Sequence, residues 1–151
     1  MHISARVDYA MRALVVLAVN DGERVTCEAL ASAQAIPARF LEGILTALRR
    51  AGIVASQRGV DGGYRLATPA DRIAVADVIR ALDGPLAEVR GMRPEQSEYS
   101  GPVKPLREVW IAARASLRSV LETVSVADIA SGELPAAVTS FTADADAWAS
   151  H

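Results

Sequence analysis

At 151 residues the chain has room for one domain, or for a small domain with an appended element. Its apolar content of 51% is enough for a core, and its formal net charge of −2 gives no overall sign of a nucleic-acid binder. A single Cys excludes an internal disulfide, and two His at the extreme ends exclude a His-based acid–base pair or metal site. No run of about 18 uncharged apolar residues offers a membrane span. No secretory leader pattern opens the chain, so a cytoplasmic protein is expected.

Residues 4–19 read as the first helix. Ser4 is its N-cap, and Val7, Ala10, Leu14, Leu17 and Ala18 form its apolar stripe. Asp8 is a surface residue of this helix. Tyr9 is either a packed residue with its hydroxyl at the surface or a phosphate contact. Asn20-Asp21-Gly22 closes the helix with turn residues. Thr26 then caps a short helix over 26–33. Cys27 falls in its first turn, where free N–H groups lower a thiol pKa. Two readings of Cys27 stand side by side: a small core residue, or a redox-sensing thiol.

Gln34-Ala35-Ile36-Pro37 is a short turn, and Pro37 at a first helical position restarts a helix. Leu41, Ile44, Leu45 and Leu48 share one face of that second helix. Arg39, Gly43, Thr46 and Arg50 share the opposite face, with Glu42 on the flank. Two arginines, a hydroxyl and a residue with no side chain suit a surface that approaches something acidic. Gly52 stops the helix. Residues 53–57 read as a strand, 58–63 as a turn with three glycines, and 64–67 as the returning strand. Helix-turn-helix followed by a two-stranded hairpin is a winged helix. From Arg39 to Arg65 five arginines stand against Glu42 and Asp61. Charge is therefore divided: residues 1–72 carry nine Arg against seven acids, and residues 73–151 seven basic residues against eleven acids.

Val75 to Leu82 is a further helix, stopped by Asp83-Gly84-Pro85. Residues 85–105 hold four prolines and read as a loop of a length that is functional or disordered. Leu106 to Val124 carries the strongest helical stripe: Leu106, Val109, Trp110, Ala113, Leu117, Val120, Leu121 and Val124. So wide an apolar face needs a partner surface, and Arg118 with Glu122 forms an opposite-charge pair on the wetter side. Ser125 and Asp128 read as a capping box opening a short helix. Residues 131–151 form a tail expected to fray, with Phe141 and Trp148 as its anchors. No phosphate-cradling loop and no nucleophile–base pattern appears, so an enzyme is not expected.

Several strings resemble one family in the right order. They are Ile3-Ser4 with Asp8-Tyr9-Ala10-x-Arg12-Ala13-Leu14, then Phe40-Leu41-Glu42, then Leu48-Arg49-x-x-Gly52-Ile53-Val54, then Arg58-Gly59-x-x-Gly62-Gly63-Tyr64. This pattern resembles the Rrf-two family of IscR-, NsrR- and CymR-like bacterial transcription regulators, over roughly residues 1–130. The resemblance implies a mainly α fold with a small two-stranded β-wing: a winged helix-turn-helix domain over 1–84, a loop over 85–105, a dimerisation helix and short following helix over 106–130, and a tail over 131–151. It implies contact with double-stranded DNA through Arg39, Phe40, Glu42, Gly43, Thr46, Arg49 and Arg50 of the recognition helix. In the wing the corresponding residues are Arg58, Gly62, Gly63, Tyr64 and Arg65. It also implies a homodimer joined through Leu106, Val109, Trp110, Ala113, Leu117, Val120 and Leu121.

Many members hold an iron–sulfur cluster through three Cys in the loop. Here 85–105 contains neither Cys nor His, so no cofactor is expected. The functional expectation is a homodimeric repressor reading a palindromic operator, answering to a small-molecule or protein effector. The alternative is a winged-helix protein-interaction module, or a regulator controlled by a partner protein.

Overall fold

Hydroxyl caps start the first two helices. Ser4 Oγ accepts from the Val7 N–H and opens α1 (Ala5–Val19). Thr26 Oγ1 accepts from the Ala29 N–H and opens α2 (Cys27–Gln34). Each cap satisfies an N–H that the first turn leaves free. The structure is a computed structural model, and it describes residues 2–149. α2 ends on Ala35 in the left-handed conformation, at φ 51°. Pro37 takes the N-cap position, one residue outside the expected first helical turn, and α3 runs Ala38–Arg50.

Gly52, at φ 75°, lets the chain fold back so that the Ile53 N–H reaches the Leu48 carbonyl at 3.0 Å. That bond belongs to the helix exit, so the wing starts later than the sequence suggests. β1 (Val54–Gln57) pairs antiparallel with β2 (Gly63–Leu66), Val54 facing Leu66 and Gln57 facing Gly63. Val25, before α2, adds one bridge on the other side of β2. Its N–H reaches the Tyr64 carbonyl at 2.9 Å, and the Tyr64 N–H reaches its carbonyl at 2.8 Å.

α4 (Val75–Leu82) lies where the periodicity puts it. The chain then leaves the domain and comes back. α5 (Leu106–Leu121) runs outward, and α6 (Val126–Ser131) returns to pack on α1. The return is fastened by a two-way backbone link: the Val75 N–H donates to the Val124 carbonyl and the Val126 N–H to the Ile73 carbonyl, both at 2.9 Å. Ser125 and Asp128 form the expected capping box. One apolar core results, built from Leu14 and Leu17 of α1, Leu30 of α2, the four Leu and Ile residues of α3, Val78 of α4 and Val126 of α6. Each such side chain contributes roughly 1.5–3 kcal/mol by leaving water. α5 buries none of its residues.

The segment between α4 and α5 is an ordered strap. It forms short 3-10 turns at Pro94–Gln96 and Gly101–Val103, and buries Leu86 and Pro94. Polar groups hold it to α5. Arg114 Nη1 meets Glu95 Oε2 at 2.5 Å, Arg107 donates to the Glu95 carbonyl at 2.6 Å, and Trp110 Nε1 donates to Tyr99 Oη at 3.1 Å. Within residues 131–149 the chain forms α7 (Ala136–Thr142) and a 3-10 turn at Ala145–Trp148, and residues 150–151 lie outside the described residues. Phe141 and Trp148 remain exposed, so neither anchors it through apolar burial; Trp148 Nε1 donates to the Thr142 carbonyl at 2.9 Å.

Candidate nucleic-acid interface

α3 divides its residues cleanly. Leu41, Ile44, Leu45 and Leu48 are fully buried, which fixes the helix's rotation and drives the other side outward. Arg39, Phe40, Glu42, Gly43, Arg49 and Arg50 are exposed, and Thr46 is half-buried. Among the described residues Arg39 and Arg50 form no ion pair, so both guanidiniums are available to an outside anion. Gly43 sits mid-helix, and a Cβ built on it meets nothing within 4 Å. Nothing inside the chain therefore requires glycine there, although glycine in a helix costs about 1 kcal/mol relative to alanine. Phe40 is committed differently. It stacks edge-on against Tyr9 of α1 at 5.8 Å, and Arg12, paired with Asp8 at 2.6 Å, lies 5.6 Å above the Tyr9 ring. Tyr9 is thus a packed residue that ties α1 to the start of α3.

The wing's glycines answer to its own backbone. A Cβ on Gly62 would lie 2.5 Å from the Gln57 carbonyl oxygen, and one on Gly63 would lie 2.8 Å from the Val25 carbonyl oxygen. Gly63 also sits at φ 140°, which side chains avoid. Both glycines are explained by turn closure and by the close passage of Val25, without any ligand. Tyr64 is half-buried and faces the same bridge. Arg58 and Arg65 are exposed; Arg65 touches its neighbour's Leu66 carbonyl at 3.4 Å, and Arg58 has no partner among the described residues. Arg49 Nη1 donates to Ser56 Oγ at 3.2 Å, tying the last turn of α3 to β1. Helix and wing are therefore held as one surface.

Between them runs an open groove of about 540 Å³, walled by Thr46 and Arg49 of α3 and by Ser56, Gln57 and Arg58 of the wing. The sequence reading missed that α2 contributes Glu28 to this groove, beside Glu42. Cys27 lies at its base, buried, its thiol directed at the Ala38 carbonyl at 3.7 Å. Here the expectation of a lowered thiol pKa is overturned. Burial pushes the Cys27 thiol up, and the charges of Glu28 and then Glu42 push it further the same way. Cys27 therefore lacks the lowered pKa of a reactive thiol.

The residues expected to join two subunits lie along α5. Val109 is 54% and Trp110 37% exposed, Ala113 is exposed, and Leu106, Leu117 and Val120 are half-buried. Leu121 differs, because it packs against the core of its own domain.

Residues 3–132 match the Rrf2 family, described as an iron-dependent transcriptional regulator. An HTH-type transcriptional regulator of Mycobacterium tuberculosis is 51% identical over 136 residues, covering 89% of this chain and 84% of that one. The HTH-type transcriptional regulator CymR of Bacillus subtilis is 35% identical over 132 residues, covering 87% of this chain and 91% of that one. Among solved structures, CymR, the global cysteine regulator of B. subtilis, is similar with a TM-score of 0.74 at 32% identity, over 87% of this chain and 98% of that one. T. potens IscR gives a TM-score of 0.69 at 29% identity, over 87% and 88%.

Proposed function

The chain belongs to the Rrf2 family of DNA-binding transcriptional regulators, and we propose that it acts as a homodimeric repressor on a palindromic operator without an iron–sulfur cluster. The observation that carries this reading is the outer face of α3: uncommitted arginines beside a glycine that no internal contact demands. In a dimer the two α3 helices enter successive major grooves about 34–36 Å apart. Arg39, in the first turn, reaches base edges, and Glu42 accepts from a cytosine amino group. Thr46, Arg49 and Arg50 follow along the groove, and Arg58 and Arg65 hold phosphates from the wing. Gly62, Gly63 and Tyr64 serve by shaping the hairpin. Leu106, Val109, Trp110, Ala113, Leu117 and Val120 meet the same residues of a second copy.

The family description implies iron, and many members use a cluster. The donors here do not fit one. Cluster irons are held mainly by thiolates. This chain has one Cys, buried at the foot of the α3–wing groove with its thiol protonated, and residues 85–105 have neither Cys nor His. Control then rests on an effector, either a small molecule or a partner protein. We place this activity in the cytoplasm; no helix among the described residues is long and apolar enough to cross a membrane.

Titration of two duplexes, operator and random, at several salt concentrations tests the division of labour. Arg58→Ala and Arg65→Ala weaken both duplexes alike, and each reduces the salt slope by about 0.9. Arg39→Ala or Glu42→Ala lowers the ratio of operator to random affinity by about 1–3 kcal/mol. Wing changes that alter only specificity would reverse the assignment. If none of the four changes matters on the true operator, the winged helix is a protein-interaction surface instead.

A further inference from the structure

The strap between α4 and α5 borders an open cavity of about 490 Å³ to which neither α3 nor the wing contributes a residue. Four arginines line it: Arg80 of α4, Arg93 of the strap, and Arg114 and Arg118 of α5. They converge from three separate elements of a chain whose net charge is negative. Glu95 is the lone acid of the wall, and Arg114 holds it at 2.5 Å. Arg80 and Arg118 share Glu122, which is not part of the wall, and Asp77 meets Arg80 at 3.4 Å. Those pairs have a structural purpose, since they fasten the strap to α5 and the end of α5 to α4. Arg93 has none. Its guanidinium makes no hydrogen bond or ion pair among the described residues, yet it stands on the cavity wall. Pro85, Leu86 and Ala87 supply an apolar side to the same space.

We propose that this cavity binds a small organic anion carrying a carboxylate or phosphate group on an apolar body. A guanidinium presents paired N–H donors that match either group. The volume lies within the roughly 300–1,000 Å³ of small-molecule sites, which also combine apolar walls with a few converging polar groups. Arg93 is the unspent donor, Arg114 is shared between Glu95 and the ligand, and the Pro85–Ala87 stretch takes the apolar part. The site involves no residue of α3 or the wing, so it stands or falls apart from the DNA assignment.

Calorimetric titration of the full chain without DNA, at fixed ionic strength, tests the site with benzoate and with phenyl phosphate as probes. The expected result is saturable binding of one probe per chain. Benzoate and phenyl phosphate separate the carboxylate source from the phosphate source, and saturation by either supports the site. Arg93→Gln and Arg114→Gln each weaken the bound probe by about tenfold or more, the cost of one charged hydrogen-bond donor. Arg12→Gln, a change of the same charge in the middle of α1 at a residue that does not line the cavity, leaves the affinity unaltered. Arg93→Gln breaks no hydrogen bond or ion pair among the described residues and removes only a through-space attraction to Glu95, so it decides the matter even if Arg114→Gln loosens the strap. The proposal is overturned if neither probe saturates, or if Arg12→Gln and Arg93→Gln lower the affinity equally, which would mean general attraction to a basic surface.

Discussion

α3 and α5 carry the same sequence signal and end in opposite situations. Both place apolar residues at steps of three and four. In α3 those residues vanish into α1, α4 and β1, and its polar side faces outward. In α5 no residue is buried, and Val109 and Trp110 stand open. Periodicity thus states that a helix needs an apolar partner, but not where the partner is. The means of attachment differ too. α3 is held by hydrocarbon; α5 joins its own domain through Leu121 at its end and through the pair of Glu122 with Arg80, and holds the strap through Glu95 with Arg114.

The sharpest way to break this comparison is to damage each stripe in turn. Leu45→Ala removes a fully buried side chain from α3 and should lower stability by about 2–5 kcal/mol, read as the midpoint of urea unfolding. Val109→Glu with Trp110→Glu should leave the unfolding of the subunit nearly unchanged. Sedimentation should instead show the dimer separated into single chains. If the α5 pair unfolds the chain as Leu45→Ala does, α5 belongs to the internal core, and the contrast between the two helices disappears.

A smaller effect separates stability from function on α3 itself. Since a Cβ on Gly43 meets nothing in the chain, Gly43→Ala should raise stability by about 1 kcal/mol through better helix propensity. Operator affinity should fall at the same time if DNA approaches the helix at this point. Thermal unfolding and operator titration of the one variant give both numbers. Stability gained with affinity intact would mean that the helix does not meet DNA at Gly43.

These contrasts show what was legible in the amino-acid sequence. Ser4, Thr26 and Ser125 announce helix starts because capping is a local bond over three residues. The four buried residues of α3, and hence its outer face, follow from periodicity alone. The return of Val124–Val126 to Ile73 and Val75 is a long-range backbone link between residues with no turn or charge signature, and nothing local encodes it. Ala35 is equally silent, because alanine gives no hint of a left-handed conformation. The strap has only a loop's signature in sequence, because it is tied down by Glu95 and Tyr99 meeting α5, and such pairs follow no period. Cys27 misled by position: the helix start was visible, while the burial and the groove acids that outweigh it were not.

Acid should loosen α5 before it touches α3, and this is the finest test of the two attachments. Glu122 is held below the ordinary glutamate value by its hydrogen bonds to Arg118 and then Arg80. Glu95 is lowered by a hydrogen bond to its own backbone N–H, then by Arg114. A carboxylate whose folded pKa is depressed contributes stability that is fully present above its unfolded value, about 4.3 for glutamate. That contribution is lost as pH falls through the lower folded value. The window therefore lies below about pH 4.3, and neutral pH changes nothing. Trp110 reports on it directly, because its indole N–H donates to Tyr99 of the strap. In a Trp148→Phe background, Trp110 fluorescence should change in this acid window while amide exchange in α3 stays slow. Glu122→Gln removes the carboxylate that α4 and α5 share, so it should produce the loosened Trp110 signal already at pH 7 and shrink the acid transition. A Trp110 change that coincides with the loss of α3 protection, in both chains, would mean that α5 and α3 melt as one unit held by the same apolar core.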